Sequence, residues 1–381
     1  MLPAPTPDAL AHSQRVAAHL VALIEAAGGW IPFSRYMDAA LYAPGLGYYA
    51  AGAAKFGAAG DFVTAPELTP LFGRTLARAI APALESTGGD VLELGAGSGK
   101  LAADVLGELE RLGTLPARYL ILDVSADLRE RQQQTLAAAG PHLLDRVVWL
   151  NALPGSFNGV ILANEVLDAL PVECVHWTDA GPMQRGVVVR DGGFAWDDRA
   201  IADPALHVRA EALDLVPPYV SEISLAADGL IASLGQSLAH GLVLFVDYGF
   251  GAREYYHPQR SMGTLRAHYR HHALDDPFYL PGLCDLTAHV DFSAVARAGM
   301  AAGFAQAGYT GQAAFLLNSG LTERLSEISP ADAAAWLPQS NAVQRLVSPA
   351  EMGELFKVMA LAKGEVPPLA GFARGDRQYT L

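Results

Sequence analysis

Between Asp90 and Val124 the chain reads as an apolar run, a glycine turn, an amphipathic stretch and a second apolar run: VLEL, GAGSG, LAADVLGELERL and RYLILDV. The two runs are continuously apolar, so their strands must be covered on both faces, as in a parallel sheet flanked by helices. Leu101, Val105, Leu109 and Leu112 recur at helical spacing and supply one such cover. Helix 126–139 and the apolar runs Val147–Leu150, Gly159–Ala163 and Leu242–Val246 continue the alternation. The expected fold is therefore α/β, a doubly wound Rossmann-like sheet.

The stretch between the last two of these runs is too long for a single crossover. VECVHW, QRGVVVR and GGFAW, separated by Asp179-Ala180-Gly181-Pro182 and Asp191-Gly192-Gly193, predict a β insertion, followed by a helix over Ser221–Ala239. Upstream, Ala9–Gly28 predicts a helix, Leu41–Gly60 an ordered loop, and Pro66 the start of a helix through Ala83. A second insertion, Ala252–Met300, is rich in His, Tyr and Asp, and Phe304–Leu317 with Leu355–Ala362 are expected to close the sheet as an antiparallel pair. The resulting division is an N-terminal helical segment and covering loop (1–83), the first part of the core (84–171), a β-rich and helical insertion (172–240), a core strand (241–251), a substrate-side insertion (252–300) and closing strands (301–381).

Lys and Arg number 26 against 40 Asp and Glu, a formal charge of −14. That field repels phosphate polymers and anionic membranes and favours basic ligands, so nucleic acid is not an expected partner. Cys174 and Cys284 are the only cysteines, too few for a disulfide framework or a thiolate metal cage. Two long uncharged stretches, Gly229–Val246 and Ala298–Thr322, are broken by Gly and Gln, which argues against membrane insertion. The first residues carry neither a secretory nor a transit pattern, and a cytoplasmic, bacterial setting is the expectation.

The strongest chemical signal is Glu93-Leu94-Gly95-Ala96-Gly97-Ser98-Gly99. Glycines permit close backbone approach, and the helix that follows offers free N–H groups to a ligand. Leu94 and Leu101 stand where a P-loop requires Gly and Ser or Thr, and Lys100 stands where a dinucleotide fingerprint wants its third small residue. A tight structural turn is the bland alternative. Asp123 ends the next strand, where an acid accepts hydrogen bonds from ribose hydroxyls, although an acid or Ser125 there also suits a helix cap. Asn151-Ala152-Leu153 is a weaker candidate for an adenine edge. Asn164-Glu165-Val166-Leu167-Asp168 follows the fourth strand, and its paired carboxylates suit a cation if a helical turn puts Glu165 and Asp168 on one side; acids at a helix start are the alternative. Thr64 with Glu67 reads as a capped helix start, and Asp247-Tyr248-Gly249 and Asp285–Phe292 are weak alone. His268, His271 and His272 beside Arg270 read as a solvated basic segment, with no metal site expected.

Taken in order, GDFVTAPELTPLFG (60–73), LELGAGSGKLA (92–102), ANEVLDALPVE (163–173), VDYGF (246–250), GTLRAHYRH (263–271) and PGLCDLTAHVDF (281–292) resemble the MidA family of S-adenosylmethionine-dependent methyltransferases. Mitochondrial members of that family are complex I assembly factors that dimethylate an arginine of a core subunit. The resemblance implies a class I methyltransferase sheet with an added substrate-binding part and S-adenosylmethionine as cofactor. It implies that Gly95, Gly97 and Gly99 pass close to the methionine portion, that Glu93 orients its amino group, and that Asp123 holds the ribose, with Leu153 and Asn164 on the same crevice. Glu165, Asp168 and His289 would face the methyl acceptor, an exposed arginine of a protein such as a respiratory complex subunit. Two rival readings are a cofactor-binding assembly chaperone without turnover and a nicotinamide-dependent oxidoreductase. Oligomeric state has no signature in the sequence.

Overall fold

The computed structural model of the protein describes residues 2–51, 64–123 and 125–381. Seven strands build the central sheet: β1 (Asp90–Leu94), β2 (Tyr119–Leu122), β3 (Val147–Leu150), β4 (Phe157–Asn164), β5 (Leu238–Phe250), β6 (Ala305–Gly311) and β7 (Phe356–Lys363). The helices used below are α1 (Pro7–Ala26), α2 (Phe33–Tyr42), α3 (Pro70–Thr87), α4 (Lys100–Leu112), α5 (Ala126–Ala139), α6 (Leu225–Ser237), α7 (Phe292–Ala301) and α8 (Ala333–Val347).

The strand order is β6-β7-β5-β4-β1-β2-β3, with the short strand Val290–Asp291 beside β5. Strands β1 to β5 run parallel, and β7 runs antiparallel to both β5 and β6. The chain winds outward from β1 to β3 and then returns to place β4 on the other side of β1. In such sheets the ligand crevice opens at the carboxyl ends where the winding direction changes, here beyond Leu94 and Asn164.

Successive residues of each strand point into different cores, which is why these strands read as unbroken apolar runs. Val91, Ile121, Val160, Leu244 and Val358 pack against α3, α4 and α8, while Leu92, Leu120, Ile161, Val243 and Leu361 pack against α6 and α7. The expected antiparallel closure is present over Ala305–Gly311 and Phe356–Lys363, but Gln312–Asn318 is helical rather than part of a strand to Leu317. The side chain of Gln312 is buried and donates to the carbonyl of Leu346, tying that helix to α8.

Two further boundaries depart from the sequence reading. The helix expected over Ser221–Ala239 begins only at Leu225, because Tyr219–Ile223 is a strand paired with Glu173–Thr178 and Ser224 caps the helix through the N–H of Ala227. The helix expected from Pro66 breaks at Thr69, whose extended backbone is what a following proline favours; Ala65–Leu68 is one turn and α3 starts at Pro70. Thr64 makes no side-chain cap, so the capping-box reading of Thr64 and Glu67 fails, and Thr69 caps α3 instead. Of the loop expected over Leu41–Gly60, α2 takes Leu41 and Tyr42, and residues 52–60 lie outside the described residues, as do residues 61–63 and Val124.

The inserted segments form two small antiparallel sheets. One joins Ile31–Pro32, Glu173–Thr178, Gly181–Arg190, Gly193–Ala200 and Tyr219–Ile223; the other joins Arg266–Tyr269, His272–Leu274 and Asp285–Thr287. Both share a core with α1 and α2, built from Val16, Leu20, Phe33, Tyr36, Cys174, Val187, Ala267 and Leu286 among others. Gly282 has φ +76, and a β-carbon there would stand 2.6 Å from Val16, so only glycine lets this loop lie on α1. Among the described residues no helix is long and apolar enough to cross a membrane.

Candidate functional site

The turn after β1 takes its shape from three left-handed glycines, with φ +62 at Gly95, +53 at Gly97 and +83 at Gly99. A β-carbon at Gly97 would meet nothing within 4 Å, so this backbone borders open space. A β-carbon at Gly99 would lie 2.9 Å from the Cα of Gln132, so Gly99 is what allows α5 to approach the turn. From α5, the side chain of Gln132, fully buried, donates to the carbonyl of Gly97 (3.1 Å) and to Oδ2 of Asp123 (2.8 Å). The indole of Trp149 donates to its Oε1 (2.8 Å). The glycine turn and Asp123 are thus two rims of one crevice, held by one amide.

Asp123 does not cap α5. Its Oδ1 accepts the N–H of Ser125 (3.0 Å), while the Ser125 hydroxyl accepts the N–H of Leu128 and performs the capping. Arg129 laces the rim further, donating to the carbonyls of Asp123 and Leu150. Glu93, buried at the end of β1, accepts the Tyr119 hydroxyl at 2.7 Å. Burial, aided by the charge of Asp123, pushes its carboxyl up to about 8, against the Tyr119 bond that lowers it. Leu153 lies farther along the rim beyond β3, half-buried against the core that contains α6, with Asn151 and Ala152 exposed.

Beyond β4 no helical turn forms. Glu165 takes φ +53, and the N–H groups of Val166, Leu167 and Asp168 all point at Oδ2 of Asp247, at 3.1, 2.9 and 3.3 Å. The buried Asp247 at the end of β5 therefore folds the loop that presents Glu165 and Asp168. The sequence singles out Asp247 only as part of a weak segment, because its role is visible only once β5 lies beside β4. Asn164, at the end of β4, donates to Glu165 (3.1 Å) and keeps a buried Oδ1 without a hydrogen-bond partner.

Asp168 is buried, and its Oδ1 likewise has no partner among the described residues. Burial and then repulsion by Asp168 raise Glu165 to about 7. Burial raises Asp168 to about 6 against a hydrogen bond from Tyr248. Burial, then Asp168 and Glu165, hold Asp247 well above the usual carboxylate range. The ring of Tyr248 stands edge-on to His289, centroids 5.2 Å apart, and the N–H of Ala288 donates to the carbonyl of Asp168 (3.0 Å). His289 thus joins Glu165 and Asp168 in one cluster. Burial, with Arg260, Arg266 and Lys357 nearby, lowers it to about 4, so it is neutral near pH 7.

Tyrosines from α2 and the turn after it cover this cluster. Tyr42 donates to the carbonyl of Ala169 (2.9 Å), stacks on Tyr49 at 5.5 Å, and feels Asp285, Asp168 and Asp123; Tyr49 donates to Asp285 (2.8 Å). Near the glycine turn, Glu67 accepts the hydroxyl of Ser98 and pairs with Lys100 at 3.7 Å. Periodicity carries no signal for Tyr42, Glu67 or Gln132, since each works through a contact distant in sequence. Residues His268, His271 and His272 belong to a hairpin whose two turn residues, Arg270 and His271, both have positive φ as a two-residue turn requires.

The crevice offers what an adenosyl amino acid needs: backbone without side chains at Gly97, a carboxylate at Asp123 for hydroxyl donors, and an acid at Glu93 near the first glycine. Beside it, one oxygen of Asp168 and the amide oxygen of Asn164 are buried without a hydrogen-bond partner among the described residues. The comparisons with known proteins agree with this fit. A family profile described as S-adenosyl-L-methionine-dependent methyltransferase matches residues 75–310. The mitochondrial protein arginine methyltransferase NDUFAF7 of Mus musculus is 30% identical over 90% of this chain and 83% of its own length. That of Danio rerio is 28% identical over 96% and 94%. A Burkholderia thailandensis protein crystallised bound to S-adenosyl-homocysteine is 53% identical with a TM-score of 0.97, covering 100% of both chains.

Proposed function

Since the chain belongs to the MidA family of S-adenosylmethionine-dependent methyltransferases, we propose that it methylates an arginine side chain of a protein, as the names of its mitochondrial relatives suggest, a respiratory complex I subunit being the acceptor that the family resemblance implies. One observation carries the choice of acceptor: Oδ1 of Asp168 is buried without a hydrogen-bond partner, beside Glu165 and beneath tyrosines. A guanidinium brings several N–H donors in a planar fork, and its fixed positive charge answers the mutual repulsion of the two acids. In a bacterial cell the reaction would take place in the cytoplasm.

When bound, S-adenosylmethionine supplies an electrophilic methyl group on a sulfonium. Gly95, Gly97 and Gly99 would line its methionine portion, Glu93 would take its amino group and Asp123 its ribose, with Asn164 and Leu153 on the adenosyl side. Glu165 and Asp168 would accept from two N–H edges of the guanidinium and fix the nitrogen that is methylated, where orientation alone can supply several kcal/mol. A guanidinium stays charged up to about pH 12, and its methylated product carries the same single charge, so transfer of a methyl cation must release one proton. Carboxylates raised toward neutrality, as Glu165 and Asp168 are, suit the uptake of that proton. His289, neutral, would border the acceptor through Tyr248 without adding a competing charge. The parts within 1–83, 172–240 and 252–300 would form the acceptor side of the molecule.

Glu165→Gln tests this reading. Methyl transfer to an arginine peptide is expected to fall by roughly 100-fold or more, in the range of removing a positioned base, while calorimetry finds the affinity for S-adenosylhomocysteine unchanged. Undiminished transfer would remove Glu165 from the clamp.

A further inference from the structure

We propose that Gln132 is a positioning residue for the ribose: it fixes the direction of the Asp123 carboxylate and the width of the crevice, and so sets how strongly the protein discriminates adenosyl ligands by their sugar hydroxyls. The inference rests on the cofactor reading above.

The amide of Gln132 is satisfied at every polar position the structure offers it. Trp149 donates to Oε1, which leaves both hydrogens of Nε2 for the carbonyl of Gly97 on one rim and Oδ2 of Asp123 on the other. The indole has only a donor, so the amide has one orientation that satisfies all three contacts, and a flip would set its carbonyl against two acceptors. Gln132 is fully buried, and Gly99 exists as glycine at the point where α5 passes it. With the N–H of Ser125 on Oδ1 and the amide on Oδ2, the carboxylate is gripped at both oxygens. A carboxylate oxygen accepts more than one hydrogen bond, so these two contacts do not by themselves exclude a sugar hydroxyl. A freely rotating aspartate would have to be ordered when the sugar arrives; this one is ordered beforehand, so the full strength of its bonds to the hydroxyls enters the affinity.

The test measures binding by calorimetry with two probes, S-adenosylhomocysteine and its 2′,3′-dideoxyribose analogue. In the wild type the analogue should bind roughly 10- to 100-fold more weakly, the span expected for hydrogen bonds to a charged group. In Gln132→Met, which keeps the volume but has no amide, S-adenosylhomocysteine should lose about tenfold and the ratio between the two probes should shrink toward one. Trp149→Phe, which removes only the indole donor, should shrink the ratio in the same direction and serves where Gln132→Met does not fold. If the variants weaken both probes equally, leaving the wild-type ratio intact, Gln132 is merely a packing residue and the proposal is overturned. If the wild type itself binds neither probe, the cofactor reading falls, and this proposal with it.

Discussion

Individual acids here are held where water would stabilise them poorly, and Glu93 is the clearest case. Its folded-state carboxyl titrates at about 8 against an ordinary 4.5, so the folded chain holds a proton that the unfolded chain releases above pH 4.5. Stability linked to this group is complete below that value and drains away as pH rises through about 8, opposite to the usual salt-bridged acid. Glu93→Gln removes the titration, and an amide still accepts the Tyr119 hydroxyl. The variant is expected to gain relative to wild type between pH 5 and pH 8, by at most about 4 kcal/mol. Melting curves at the two pH values check this; parallel losses in both proteins would mean that Glu93 is not the group responsible. The presence of Glu93 before the glycines was legible in the sequence, but its proton affinity was not, because Tyr119 and the covering core arrive from elsewhere in the chain.

At the level of elements, the loop after β4 depends on a residue of its neighbour. Asp247→Ala would leave the N–H groups of Val166, Leu167 and Asp168 without their acceptor in a buried setting. The expected loss is about 3 kcal/mol of stability, read from the urea midpoint, with methyl transfer abolished and S-adenosylhomocysteine binding retained. An unchanged midpoint would show that the loop is held by other means. This dependence explains the uneven legibility of the site. The strand, glycine turn, helix and Asp123 lie within one short stretch, and their types and order announce a nucleoside crevice. The expected helical turn at Glu165 and Asp168 was wrong because three N–H groups converge on Asp247, a partner some 80 residues away. The strand at Tyr219–Ile223 was hidden for a similar reason: its Ser221 and Glu222 read as polar but are buried, Glu222 accepting from Thr264 and Leu265, which lie far along the chain.

Over the whole molecule, the formal charge of −14 gives a field that would favour the basic acceptor proposed above. For an arginine-rich peptide, kcat/KM is expected to fall several-fold between about 20 and 200 mM salt, mainly through KM, as the screening length shortens to under 10 Å. A flat salt profile would assign the negative charge to solubility alone. The core shared by α1, α2 and the two small sheets draws on residues as far apart as Val16, Val187 and Leu286. The crevice rims, by contrast, lie between Gly95 and Asn164. During synthesis, a ribosome must therefore release nearly 290 residues before Val16 can meet Gly282. Until then α1 and α2 have only the part of their cover that Cys174 and Val187 bring, and the apolar face that meets Ala267 and Leu286 stays open to water.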